Sequence, residues 1–249
     1  GLDTEFLYVE NADEVLLEQA KGKIVLVNGY LNRATYEKLR KSEAAAILTF
    51  TGRTIDRESE SDLNRCKLRE TLTEPFGAVP VLNMRAASAA EIVRRGAKTV
   101  HIELTGECYD GTSQNVCATI PGTDKPSEVI TLGGHYDSVY FSSGVHDNLS
   151  GSVIVLELLR YFAAHPPRRT LRFCWFGSEE QGLLGSKAYV KAHADELKAC
   201  VAMLNFDVAA PTLGSNHLVT LATDDALHYV AGVLREAGYG VRAKQDTYS

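Results

Sequence analysis

Short apolar runs alternate with helix-like segments along most of this chain, and that alternation limits the folds it can adopt. The β-branched run at residues 23–27 (KIVLV) precedes a charged segment, Arg33–Lys41, and a second apolar run follows at residues 44–50. Apolar runs of this length, separated by helical patterns, are typical of strands in a parallel sheet. We therefore predict an α/β protein whose sheet is mixed but mostly parallel, with helices on both faces.

The first hundred residues are predicted to form a small α/β domain. Further strands are predicted at residues 79–82 and 100–104, with a helix at residues 86–95 that ends at Gly96. Glycine is common just past a helix C-terminus because it adopts positive φ without steric cost. Residues 51–73 are mainly polar and are predicted to lie on the surface. Nothing in residues 1–104 indicates catalysis, so this part is predicted to be an accessory domain.

The second part of the chain, residues 105–249, shows stronger patterns. Residues 115–120 and 129–132 are apolar runs around Pro121-Gly122 and are predicted to be adjacent strands. Residues 151–164 are nearly all apolar, which predicts a helix buried on most sides. Further strands are predicted at residues 171–176, 201–206 and 217–222, and helices at residues 183–193 and 224–237. Residues 241–249 are predicted to begin a strand that stops before it pairs.

Composition excludes several classes of protein. The 249-residue chain is 45% hydrophobic, carries a formal net charge of -6 and contains no basic run, which argues against nucleic acid as a partner. No apolar stretch approaches the roughly 20 residues needed to span a bilayer. The five cysteines cannot all pair within the chain. Cys108 and Cys117 are close enough in sequence to pair in an oxidising compartment, whereas Cys174 and Cys200 lie in or beside apolar runs, as free cysteines do.

Ionisable side chains follow three of the predicted strands. At the carboxyl ends of these strands, or just beyond, stand His135, Asp137, Glu179, Glu180 and Asp207, and a further cluster, His146-Asp147-Asn148, precedes the apolar helix. Open α/β sheets bind ligands at the carboxyl ends of their strands, so these groups are expected to converge. Each residue alone has a structural explanation, such as a solvated turn or a capped loop.

Carboxylates that converge beside a histidine repel one another unless a cation neutralises them. Imidazole and carboxylate ligands suit zinc better than manganese or cobalt. Two metals that share a carboxylate can activate a water and polarise a carbonyl, while one carboxylate stays off the metal as the base. The adjacent pair Glu179 and Glu180 fits that division of roles, because neighbouring side chains point in different directions.

Four motifs carry a family resemblance. GGHYDS (residues 133–138), HDNLSG (146–151), FGSEEQGLLGS (176–186) and LNFD (204–207) occur in the order and approximate spacing found in the co-catalytic zinc aminopeptidases. That family shares its phosphorylase/hydrolase-like zinc exopeptidase fold with glutamate carboxypeptidase, glutaminyl cyclases and the transferrin receptor. The resemblance covers residues 115–207. The N-terminal part resembles the protease-associated domain that often accompanies such enzymes.

The resemblance implies roles for individual residues. His135 and Asp207 would bind the first of two zinc ions, Asp147 would bridge both ions, and Glu180 would bind the second. Glu179 would be the general base. The role of Asp137 would be to orient His135 through the second ring nitrogen. The peptide bond after the bridging aspartate is commonly cis in the family, which makes Asp147–Asn148 a candidate.

Two departures from the family pattern concern histidines. His146 occupies a position where the family usually has a small or short polar residue. The family's fifth ligand is a histidine downstream of Asp207, but His217 and His228 are the only later histidines here, and neither has the family's sequence context. We therefore expect residues 105–249 to be a zinc exopeptidase catalytic domain that lacks its C-terminal part, with the missing histidine encoded after Ser249.

The activity implied by the resemblance is removal of N-terminal residues from peptides, which makes a peptide the expected partner. Three alternatives stay open: a carboxypeptidase, which would need a basic residue for the substrate carboxylate, a glutaminyl cyclase, or a non-catalytic relative like the receptor branch. That branch loses metal ligands, whereas the five ligand and base positions are intact here. The resemblance also favours an exported protein.

Overall fold

The computed structural model describes residues 1–29, 31–55, 70–105, 110–139, 142–209, 215–221 and 223–246. The chain divides into two compact units, Gly1–Tyr109 and Asp110–Ser249. The strands are β1 (Leu2–Tyr8), β2 (Ile24–Leu26), β3 (Ala46–Thr51), β4 (Val81–Arg85), β5 (Thr99–Ile102), β6 (Val116–Ile120), β7 (Lys125–His135), β8 (Arg169–Phe176), β9 (Cys200–Asn205), β10 (Asn216–Thr220) and β11 (Val241–Gln245). The helices are α1 (Glu14–Leu17), α2 (Arg33–Lys41), α3 (Glu70–Phe76), α4 (Ala86–Arg94), α5 (Ser150–Ala164), α6 (Leu184–Ala192) and α7 (Asp224–Glu236). The predicted α/β class is confirmed.

The first unit contains a five-stranded sheet in the order β4-β3-β2-β1-β5. Strands β1 to β4 are parallel, and β5 is antiparallel to β1. Helix α2 has the predicted bounds, Arg33–Lys41, and is capped at its N-terminus by Asn32, whose side chain accepts a hydrogen bond from the amide of Thr35. Strand β1 was not predicted from the sequence. Its residues are only partly buried and alternate in exposure, so its pairing with β2 and β5 defines it more than its composition does.

Helices cover both faces of this sheet. Ile24 and Leu26 of β2 pack on one side with Ala89 of α4, whereas Val25 packs on the other with Tyr36 of α2. Successive side chains of a strand point to opposite faces, so a short, wholly apolar strand is buried from both sides. The predicted polar segment at residues 51–73 lies largely at positions 56–69, outside the described residues; α3 begins at Glu70.

The second unit contains a four-stranded sheet in the order β6-β8-β7-β9. Strand β7 is parallel to β8 and β9, and β6 is antiparallel to β8. The prediction that β6 and β7 are adjacent was wrong, because β8 lies between them. Gly122, in the connection after β6, packs against the start of β8: its amide donates to Thr170 Oγ1, and a Cβ at Gly122 would come within 2.6 Å of the carbonyl oxygen of Arg168. The connection therefore crosses β8.

The two faces of this sheet carry different helices. Leu171 and Phe173 of β8 pack with Val155 of α5, whereas Cys174 and Phe176 of the same strand pack with α6. The alternation of side chains along β8 sets this division. Strand β8 is thus buried from both sides, and its C-terminal end is held in a fixed position.

Helix α5 is less buried than its sequence predicted. Val155 is fully buried, but Val153 and Leu156 are 44% and 45% exposed. The prediction of burial on most sides was wrong, because only the side of α5 that faces the sheet is covered within the described part of the chain. Although α5 is apolar, neither it nor any other described helix has the length and hydropathy needed to cross a membrane.

Strands β10 and β11 form a separate parallel pair. Residues of β11 pair one by one with those of β10, from Asn216 opposite Val241 to Thr220 opposite Gln245. The prediction of a strand that stops before it pairs was therefore wrong. The chain returns through α7, which packs on both strands and places β11 beside β10. Residues 247–249 lie outside the described residues.

The N-terminus of α5 packs tightly on the segment after β9, which gives a test of this packing. A Cβ at Gly151 would lie 2.2 Å from the backbone oxygen of Phe206, whereas nothing lies within 4 Å of a Cβ at Gly232, in the middle of α7. We expect Gly151→Ala to lower the free energy of unfolding by about 1–3 kcal/mol. The matched control Gly232→Ala should raise it by about 0.5–1 kcal/mol, through higher helix propensity. Urea denaturation would measure both; equal effects of the two substitutions would contradict this packing.

Candidate metal centre

Three parallel strands deliver the predicted site residues to one edge of the second sheet. Strand β7 ends at His135, while Glu179 and Glu180 follow three and four residues after the end of β8. Asp207 follows two residues after the end of β9. Because β8, β7 and β9 are parallel neighbours, their carboxyl ends meet at the same edge. The convergence predicted from the sequence is confirmed.

His135 lies at the centre of this group and is 3% exposed. Its Nε2 is 3.0 Å from Asp147 Oδ1, 3.4 Å from Asp207 Oδ1 and 3.8 Å from Glu179 Oε2. The other ring nitrogen, Nδ1, is 3.0 Å from the backbone carbonyl oxygen of Asp137. A carbonyl oxygen can only accept a hydrogen bond, so Nδ1 carries the hydrogen. The nitrogen that faces the carboxylates is therefore the one free to bind a cation.

The potential ligand atoms form two sets. One atom from each of His135, Asp147 and Asp207 lies within 4.8 Å of the others, and the same holds for His135, Glu179 and Glu180. The structure thus brings together all four predicted metal ligands and the predicted base. His135 belongs to both sets, so the distances do not divide the ligands between two ions. That division stays a prediction.

The electrostatics of the site favour added positive charge. Burial alone would lower the pKa of His135, but Asp207 and the other surrounding carboxylates outweigh it and raise that pKa. Burial raises the pKa of Glu179; the charge of His135 opposes this, and the charge of Asp207 adds to the rise. Burial likewise raises the pKa of Glu180, with Asp147 next in effect. These carboxylates crowd one another, and a proton or a metal ion would relieve the repulsion.

Asp137 positions two parts of the site at once. Its backbone carbonyl is closer to His135 Nδ1 than its carboxylate is, since Oδ1 lies 3.5 Å away. The carboxylate instead accepts hydrogen bonds from the backbone amides of Glu179, at 3.0 Å, and Glu180, at 3.2 Å. Asp137 therefore contacts the ring as predicted, chiefly through its main chain. Its side chain fixes the loop that carries the two glutamates.

Asn148 joins the two loops that carry Asp147 and Asp207. The Asp147–Asn148 peptide bond is cis, as the resemblance implied. The Asn148 side chain is 1% exposed; Nδ2 donates to the carbonyl oxygen of Phe206 at 3.0 Å, and Oδ1 accepts from the amides of Gly151 and Val208. The sequence suggested no role for Asn148 beyond a turn. Its partners lie up to 60 residues away, so the only signal was an asparagine just before a helix.

Asn115 holds the other side of the loop that carries the glutamates. Its Oδ1 accepts from the amide of Gly177 at 3.1 Å, and its Nδ2 donates to the carbonyl oxygen of Gly185 at 2.9 Å. These two glycines flank Glu179 and Glu180. The sequence showed Asn115 only as the start of a strand, because its partners are 62 and 70 residues distant.

The three histidines for which the sequence gave no clear role lie outside both ligand sets. His146 is exposed, and its backbone oxygen accepts from Ser150 Oγ. The ring of His217 contacts Ser215 Oγ at 2.8 Å, and His228 Nδ1 contacts the carbonyl oxygen of Asp224 at 2.8 Å. Among the described residues, none of the three shares a ligand set with His135.

Several named proteins are similar to this chain. Aminopeptidase YwaD of Bacillus subtilis is 31% identical over 195 residues, which cover 76% of this chain and 40% of the relative. An aminopeptidase of Pseudomonas aeruginosa is 30% identical over 197 residues, covering 78% of this chain and 36% of the relative. Leupeptin-inactivating enzyme 1 of Streptomyces exfoliatus is 44% identical over 107 residues, covering 41% of this chain and 24% of the relative. This chain thus spans less than half the length of these relatives.

Solved structures show the same fold. A zinc aminopeptidase from Bacillus subtilis superimposes with a TM-score of 0.77 at 23% identity, over 98% of this chain and 60% of that protein. An aminopeptidase from Aneurinibacillus sp. strain AM-1 gives a TM-score of 0.65 at 25% identity, over 99% of this chain and 61% of that protein. Residues 115–248 match the model of peptidase family M28, and because this match covers more than half of the chain, the protein belongs to that family.

Proposed function

We propose that this chain carries the metal centre of a zinc aminopeptidase, which removes N-terminal residues from peptides. The observation that carries the proposal is the buried ring of His135, whose Nε2 faces the carboxylates of Asp147 and Asp207. Membership of family M28 supports it, as do relatives named aminopeptidases. The chain covers only 40% of the Bacillus subtilis relative, so the activity of the whole protein belongs to this proposal.

The donor set fits a metal better than a protonated histidine. A charged imidazolium would contribute one positive charge against the carboxylates of Asp147, Asp207, Glu179 and Glu180. Two divalent ions would balance four such charges, and nitrogen and oxygen donors of these types suit zinc. The Nδ1 of His135 is already bonded to a backbone carbonyl, the arrangement that holds a metal-binding histidine in one tautomer.

The proposed roles are those that the family resemblance implies. His135 and Asp207 would hold the first ion, Asp147 would serve both ions, and Glu180 would hold the second. When bound, the metals would polarise the substrate carbonyl and supply an activated water. Glu179 would act as the general base that accepts a proton from the attacking water and returns it to the leaving amine. Burial and the neighbouring acids raise the pKa of Glu179 and make it a stronger base than an exposed glutamate. Asp137 keeps Glu179 in place through the loop amides.

The names of the relatives favour an aminopeptidase over a carboxypeptidase, since the Bacillus subtilis and Pseudomonas aeruginosa proteins are both called aminopeptidases. A binding-only relative would have no need for the four ligand side chains and the base that this chain retains. We further propose that the N-terminal unit is a protease-associated-like accessory domain that influences substrate choice without supplying ligands.

The first prediction concerns the base. Glu179→Gln keeps the shape and hydrogen-bonding capacity of the side chain but cannot accept the proton. Turnover of an aminoacyl-p-nitroanilide should fall by roughly 10²–10⁴-fold, while zinc content, measured by mass spectrometry of the metal, should persist.

The matched control is the adjacent substitution Glu180→Gln. It should lose zinc, and added zinc should restore part of its activity. If Glu179→Gln lost zinc and Glu180→Gln retained it, the two glutamates would have the opposite roles. Hydrolysis of N-terminally blocked peptides by the unmodified protein, without hydrolysis of the anilide, would contradict the aminopeptidase assignment.

The second prediction concerns the bridge. Because Asp147 would neutralise charge on both ions, Asp147→Ala should weaken zinc binding at both sites together, as measured by calorimetric titration. Asp195→Ala is a suitable control, since the Asp195 side chain is 94% exposed and pairs with the surface residue Lys198. A variant of Asp147 that kept one tight site and lost the other would show that Asp147 does not bridge.

A further inference from the structure

Two cysteine thiols lie side by side on neighbouring strands, apart from the candidate metal centre. Cys117 of β6 and Cys174 of β8 are directly opposite each other in the antiparallel register, and their Sγ atoms are 3.6 Å apart. We propose that these cysteines form a redox-active pair, which small-molecule disulfides convert to a cross-strand disulfide.

The backbone geometry already suits such a bond. A disulfide needs an S–S distance of about 2.05 Å and Cα atoms about 4.4–6.8 Å apart. Residues directly opposite in an antiparallel pair have Cα atoms about 4.5–5.5 Å apart. The sulfurs therefore need to approach by about 1.5 Å, which side-chain rotation can supply without a change of register.

The two thiols differ in accessibility, which sets the order of events. Cys117 is exposed on the edge strand, whereas Cys174 is fully buried against Phe176 and Tyr189. Burial, and next the neighbouring Cys117, raise the pKa of Cys174 to about 12, although the Tyr189 hydroxyl and the charge of Arg172 oppose the shift. An oxidant in solution therefore meets Cys117 first. Once Cys117 has reacted, it no longer opposes ionisation of Cys174.

The chemistry balances as two exchange steps. The thiolate of Cys117 attacks one sulfur of 2-hydroxyethyl disulfide, forms a mixed disulfide and releases one mercaptoethanol thiolate. Cys174 then loses its proton to solvent and attacks the sulfur of Cys117, which releases the second mercaptoethanol. Two protein thiols are oxidised to one disulfide, and the reagent is reduced to two thiols.

The bond would lie beside the loop that carries Glu179 and Glu180. Cys117 is two residues from Asn115, and Cys174 is three residues before Gly177, whose amide donates to Asn115. A disulfide would tie β6 to β8 next to this hydrogen bond. The disulfide would close a loop of more than fifty residues, so the melting temperature of the oxidised protein should rise by on the order of 5–10 °C.

The test is oxidation of the full chain with 2-hydroxyethyl disulfide, followed by mass spectrometry and non-reducing peptide mapping. We expect a disulfide between Cys117 and Cys174, without a retained adduct on either residue, and its reversal by dithiothreitol. Cys174→Ala should instead keep a mercaptoethanol adduct on Cys117. Cys200→Ser is the matched control and should form the Cys117–Cys174 bond as the unmodified chain does.

The mapping of the unmodified chain decides the question even if a variant fails to fold. A stable adduct on Cys117 with Cys174 still free would overturn the proposal. So would a Cys108–Cys117 bond, the pairing that sequence spacing allows, or a disulfide-linked dimer through Cys117. A Cys117–Cys174 bond that leaves the melting temperature unchanged would overturn the proposed tie between the strands.

Discussion

The imidazole of His135 is held between a backbone carbonyl on one side and a cluster of carboxylates on the other, and the rest of the site depends on that position. Its Nδ1 contacts the carbonyl oxygen of Asp137, and its Nε2 faces Asp147 and Asp207. A buried ring fixed in this way keeps its Nε2 among the carboxylates, and a positive charge there would balance their mutual repulsion. A metal ion supplies that balance in the proposed enzyme.

Neutral side chains and one aspartate hold the charged groups in place. Asn148 fastens the loop of Asp147 to that of Asp207, and Asn115 and Asp137 hold the loop of Glu179 from two sides. Each of these side chains bonds backbone groups of distant segments. Carboxylates that repel one another would separate if their loops were free, so such bonds stabilise the site before any cation binds.

The sequence allowed the ligands to be predicted because they follow strands whose apolar runs were easy to recognise. His135 and Asp207 are within two residues of strand ends, and parallel pairing brought those ends together as expected.

The position of β6 beside β8 could not be predicted, because it depends on how Gly122 packs against a strand nearly fifty residues later. The contact of Cys117 with Cys174 depends on the same strand pairing, so it could not be predicted from the sequence either. The sequence of α5 is apolar on nearly all sides, so its pattern could not show which side of the helix packs on the sheet.

The most direct test of the central claim is a crystal structure of the zinc-loaded protein with anomalous diffraction recorded on both sides of the zinc absorption edge. The account predicts an anomalous peak about 2.0–2.2 Å from His135 Nε2 and from carboxylate oxygens of Asp147 and Asp207. A second peak should share Asp147 and lie beside Glu180. If His135 instead formed direct ion pairs with the aspartates and no peak appeared among them, the site would not be a metal centre.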